Sequence, residues 1–270
     1  GHGGMSGEQW KKFRDQLSKT GFAFEYSATF GQAISAADKK KKEDLTQEYA
    51  KSILFDYSYK YFYEDGYGKD YRILNLKEDS IDFKNNYLTA NLLSYYQQLL
   101  IFKNKPELAT QFRLFKPLWV FVGSSVNAVR TENKKETSDV LDIIYFLTDF
   151  LKNKEEYIKN IELILSNKAG LLDSKGYSIF DSSFTYLEEL GLTPEEIFEG
   201  INREVFHNHN IGANLYLDNL KGASGELGLR VGDTDKYFGV VNVGDEKKLH
   251  DLAMNNGILG TDKDFSESLF

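Results

Sequence analysis

An α/β fold is predicted, on three observations. Two apolar runs, Phe22-Ala23-Phe24-Glu25-Tyr26 and Leu118-Trp119-Val120-Phe121-Val122, each lead directly into small hydroxyl residues, Ser27-Ala28-Thr29 and Gly123-Ser124-Ser125. In open α/β sheets, ligand chemistry gathers at the carboxyl ends of such strands. Long stretches of helical spacing separate and follow the two runs, and strand patterns return after Ile211. The order is therefore α/β, helices, α/β, with no solenoid-type repeat.

Composition sets the outer bounds. The chain has 270 residues, 33 basic and 41 acidic, for a net charge of −8, and it holds 3 Pro and no Cys. That length suits one large domain or two ordinary ones. Without Cys there is no disulfide scaffold, thiolate metal site or Cys nucleophile, and a reducing compartment fits. The acidic balance weighs against coating nucleic acid by charge alone but leaves room for a local basic groove. Apolar runs are far shorter than the roughly 20 residues of a spanning helix. Gly1-His2-Gly3-Gly4-Met5 lacks the charged and apolar regions of a signal peptide. A cytoplasmic protein with no membrane partner is expected. A chain that opens on Gly is either a tag remnant ahead of Met5 or a piece of a longer protein.

Taken in order, residues 6–19 read as a helix, with Ser6 as cap and Trp10, Phe13 and Leu17 at helical spacing. Gly21 ends it, and 22–26 is a strand candidate. Lys39–Lys42 form a basic run, read as a solvated loop in preference to a phosphate patch, before a helix over 44–56. Tyr57, Tyr59, Tyr61, Tyr63 and Tyr67 recur with a period of two, which predicts a strand turning at Asp65-Gly66. Cross-strand packing is the commoner use of such a ladder, and stacking of nucleic-acid bases is the other. Residues 84–104 read as a helix, Pro106 and Pro117 bound a connection, and 118–122 reads as a strand buried on both faces. Helical spacing fills 137–206, where Thr193-Pro194-Glu195-Glu196 is a helix start with Thr193 as cap. Strands are expected at 214–217, 226–231 and 237–243, then a helix over 246–255 capped by Asp245.

Most catalytic signatures are missing. There is no Gly-x-x-x-x-Gly-Lys-Ser/Thr loop and no Gly-x-Ser-x-Gly elbow. His207-Asn208-His209 lacks carboxylates at metal-binding spacing and reads as a surface turn, and His250 as an ordinary surface residue of a helix. No carboxylate pair stands at a spacing that marks a hydrolase dyad.

Four segments change the picture: Gly1-His2; Gly21 to Gln32 with its Phe-Glu-Tyr-Ser-Ala-Thr-Phe-Gly-Gln core; Leu118 to Val126; and Tyr237 to Asp245. Together, and in this order, they resemble the helicase-type restriction subunit of type III restriction–modification systems, a branch of the superfamily 2 DEAD/DEAH-box motors. The resemblance spans most of the chain, although each piece alone is short. It implies parts of two RecA-like lobes, each a parallel sheet with flanking helices. Residues 1–76 would end the first lobe, 77–116 would be a helical connector, and 117–270 would begin the second lobe with a helical insertion at about 130–210. His2 would be the tail of the family's Asp-Glu-x-His box. Ser27, Ala28 and Thr29 would form motif III, coupling ATP to DNA, and Gly123, Ser124 and Ser125 would form motif IV, which meets DNA.

Chemistry is compatible with those roles. Ser27 and Thr29 hydroxyls can sense nucleotide state through a box histidine. Gly123-Ser124-Ser125 offers backbone N–H groups and two hydroxyls to a DNA phosphate without any basic side chain. The chain departs from the family in lacking the P-loop, the two box acids, motifs V and VI and a nuclease carboxylate–lysine cluster. The parent protein would be an ATP-dependent DNA translocase and site-specific endonuclease using ATP and Mg2+. Its partners would be double-stranded DNA and a modification (methyltransferase) subunit. This piece alone would be inactive and bind no metal. Rival expectations are a non-enzymatic interaction protein built on the Tyr-rich 57–71 stretch and the 137–206 helices, and a motor subunit of a type I restriction or repair system.

Overall fold

The computed structural model describes residues 5–26, 43, 46–47, 53–68, 81–122, 130–132, 135–137, 139–220, 225–255 and 257. The chain divides into two compact units, Gly1–Ile73 and Leu74–Phe270.

In the first unit, α1 spans Met5–Leu17, so Ser6 lies within its first turn. Ser18 stops it by turning its hydroxyl back onto the Arg14 carbonyl at 2.8 Å, and the Gly21 amide donates to the Ser18 carbonyl. Residues 22–26 belong to no strand among the described residues, contrary to the expectation from their apolar, aromatic run. Their tie is to α1 instead, through an ion pair of Arg14 with Glu25. Glu43, Thr46 and Gln47 take helical backbone, residues 53–58 do not, and the rest of the expected 44–56 helix lies outside the described residues.

The Tyr ladder is a helix, not a strand: α2 spans Tyr59–Glu64. Phe62 fills the gap in the alternation, so the run Tyr59-Lys60-Tyr61-Phe62-Tyr63 also places rings at i, i+3 and i+4, where a helix pairs them. Tyr59 meets Phe62 at 6.4 Å and Tyr63 at 6.0 Å. Asp65-Gly66 is then a helix end rather than a hairpin turn. Gly66, at φ +81, donates to the Tyr63 carbonyl, Tyr67 donates to the Phe62 carbonyl, and the Phe62 and Tyr67 rings meet at 5.6 Å. These are the two hydrogen bonds and the apolar contact of a Schellman cap.

In the second unit, α3 (Ile81–Asn104) comes from the stretch expected to be a connector, and it is a core helix. Ala90, Leu92, Leu93 and Tyr96 are buried. Packed on it are α4 (Pro106–Gln111), α6 (Lys154–Leu165), α7 (Thr185–Glu189) and α8 (Pro194–Glu204). A short antiparallel pair, β1 (Arg130–Glu132) with β2 (Lys135–Thr137), precedes α5 (Asp139–Lys152). The chain closes with β3 (Leu215–Asn219), β4 (Glu226–Val231), β5 (Gly239–Asn242) and α9 (Glu246–Asn255).

Strands β3, β4 and β5 form an antiparallel meander with Leu215 opposite Val231, Leu217 opposite Leu229 and Leu227 opposite Val241. No parallel pair occurs among the described residues. Strand β3 packs on helix α5, and the buried Leu and Val side chains of β3 and β4 join the helical core. An aromatic knot centres on Phe150, whose ring lies 4.9 Å from Tyr157, 4.9 Å from Phe198 and 5.8 Å from Phe206. It fastens α5, α6 and α8 together, and large buried rings of this kind dominate core energetics.

Local capping is visible at α8. Thr193 Oγ1 accepts from the Glu196 amide at 3.2 Å, and Glu196 Oε2 accepts from the Thr193 amide at 2.8 Å, the reciprocal capping box. At α7 the N-cap is Phe184, which has no side-chain acceptor. Gln97 of α3 supplies one: its Oε1 accepts from the Tyr186 and Leu187 amides at 3.1 and 3.3 Å, while Nε2 donates to the Ser183 carbonyl at 2.9 Å.

Candidate functional site

His2, Ser27, Ala28, Thr29, Gly123, Ser124 and Ser125 all lie outside the described residues. What the structure defines is the chain that leads into two of these segments. Ahead of Ser27, Arg14 holds Glu25 and also donates to Asp15 Oδ1 at 2.6 and 2.9 Å, so one guanidinium links the helix and the approach to the triplet. Phe22 and Phe24 meet edge-to-face at 5.2 Å on that approach.

Ahead of Gly123, residues 118–122 were expected to be buried on both faces, and they are not. Leu118, Val120 and Val122 are exposed, and no strand partner is present among the described residues. Among the described residues, one side of the segment finds a surface: Trp119 packs on Tyr95 of α3 at 5.9 Å and on Phe121 at 4.4 Å. A single aromatic anchor on α3 thus positions the run that ends at Gly123.

The histidine motif is a turn. Asn208 is buried, its Oδ1 accepts from the Asn210 amide at 3.0 Å, and its Nδ2 donates to the Asn210 carbonyl at 2.7 Å. His207 takes φ +52, half-buried, and His209 is exposed. Burial lowers the His207 pKa, the Lys116 and Lys236 charges lower it further, and Glu204 opposes them. Among the described residues, no group of three His, Cys, Asp or Glu side chains is placed to hold a metal ion. His250 departs from its expected surface position. Leu249, His250 and Ala253 form the buried face of α9, with the imidazole 3.8 Å from the Asp251 carboxylate.

Two polar clusters escaped the sequence reading. On the sheet, Arg230 grips both carboxylate oxygens of Asp218, donates to the Gly232 carbonyl at 2.7 Å and lies 4.3 Å from the Tyr216 ring centre. Period two places Tyr216, Asp218 and Arg230 on one face, but only the register, Tyr216 opposite Arg230, brings them together. In the core, the fully buried Tyr157 hydroxyl donates to Asp149 Oδ2 at 2.8 Å, and Asn153 Nδ2 donates to Asp149 Oδ1 at 2.5 Å. Burial, then the Asp149 contact, raises the Tyr157 pKa, so the hydroxyl keeps its proton. Both clusters are saturated with their own partners, which suits holding the fold and leaves no group poised for proton transfer.

No protein-family profile, curated protein or solved structure matches the chain. Among the described residues, no helix is long and apolar enough to cross a membrane.

Proposed function

We propose that this chain is the coupling middle of an ATP-driven DNA translocase of the superfamily 2 type, serving a type III restriction enzyme as its cleaving subunit. One observation carries the reading: the ordered set Gly1-His2, Gly21 to Gln32, Leu118 to Val126 and Tyr237 to Asp245. On it, the segments belong to two RecA-like lobes of a cytoplasmic motor. ATP and Mg2+ bind where His2 is the last residue of an acidic box, and Ser27 and Thr29 pass nucleotide state to the DNA groove. Gly123, Ser124 and Ser125 hold a backbone phosphate through N–H and hydroxyl donors. Lobe closure on ATP and opening after hydrolysis would then step the protein along double-stranded DNA, next to a modification subunit. Large apolar side chains left in water at Phe22, Tyr26, Phe115, Leu118 and Val122 support a chain that packs against further protein.

The test is DNA-stimulated ATP hydrolysis by the intact gene product, comparing Thr29→Ala with wild type. A lost hydroxyl hydrogen bond worth about 1.4 kcal/mol lowers the stimulated rate roughly tenfold. DNA binding should persist in the variant, and Thr29→Ser should restore the rate. Full stimulation in Thr29→Ala defeats the coupling role.

A second reading, a non-enzymatic interaction protein, is favoured by the exposed rings of Tyr59, Tyr61, Phe62, Tyr63 and Tyr67. It predicts an intact gene product with no DNA-stimulated ATPase at all.

A further inference from the structure

We draw no further inference here: the strongest candidate, the exposed apolar face of the 118–122 run in the second unit, where Trp119 stacks on Tyr95 of α3, has no strand partner among the described residues, and nothing in the structure shows what covers it.

Discussion

Replacing Gln97 with Leu should cost the second unit about 3 kcal/mol, although the substitution opens no cavity and touches no local helix signal. Gln97 is buried, and its amide makes the three hydrogen bonds that start α7: to the Tyr186 amide, the Leu187 amide and the Ser183 carbonyl. Leu matches its volume but leaves those groups without a partner. A buried donor or acceptor stripped of its partner costs about 1–3 kcal/mol. The Tyr186 amide, at 3.1 Å, falls within that range, and the longer 3.3 Å bond to Leu187 lies at its low end. Ser183 is only half-buried, so water can reach its carbonyl and that loss is small. The sum is offset in part by burying a more apolar side chain, which leaves about 3 kcal/mol. For a unit of this size that is a fall of roughly 6–12 °C in Tm. Urea unfolding supplies the midpoint, and amide exchange at Tyr186 and Leu187 supplies a local reading of the same loss. Gln98→Leu, one residue on and exposed, is the control and should stay within about 0.5 kcal/mol of wild type. If Gln97→Leu unfolds with wild type, and Tyr186 and Leu187 exchange at the wild-type rate, the tertiary cap contributes nothing and the reasoning fails.

Two other perturbations follow from the same packing. A Cβ at Gly200 would stand 2.0 Å from Tyr96 Oη and 2.7 Å from Cζ, and the Tyr96 ring is itself buried against α8. Gly200→Ala should therefore destabilise by about 2 kcal/mol, despite the roughly 1 kcal/mol that Ala adds to a helix interior. Thermal unfolding in a Tyr96→Phe background should show a smaller penalty, and equal penalties in both backgrounds would remove the clash as the cause. At α8, the Thr193 amide and hydroxyl hold the Glu196 carboxyl below its ordinary 4.5, against a smaller opposing effect of burial. A depressed carboxyl contributes stability that is present above its unfolded pKa and is lost as pH falls through the folded one. Glu196→Gln should flatten that acid limb below pH 4.5 in urea midpoints taken across pH, with Glu195→Gln as the comparison.

Patterns that close within one or two helical turns were legible in the residues. The capping box at Thr193, the strands of the meander, α3 and α9 all follow from spacing and cap chemistry between near neighbours. The aromatic run at 57–67 was misread because Tyr at every second position and rings at i, i+3 and i+4 coexist in the same six residues. Only the choice between a ladder partner and the Schellman end at Gly66 separates the two. Residues 118–122 were misplaced for a related reason: an all-apolar run declares that it prefers burial but not what will cover it. The segments that carry the functional reading, His2, Ser27 to Thr29 and Gly123 to Ser125, are legible only as motifs in order.

By itself the sequence determined the capped starts of α8 and α9, the apolar spacing of α3, and the motif order on which the motor proposal stands. Tertiary structure alone decided that Gln97 caps a helix it is far from in sequence, that Arg230 meets Asp218 and Tyr216, and that His250 is buried. The physical reason is reach. Propensity and capping act between groups a few bonds apart, whereas the partner of a buried amide or a guanidinium is set by whichever distant segment packing brings beside it.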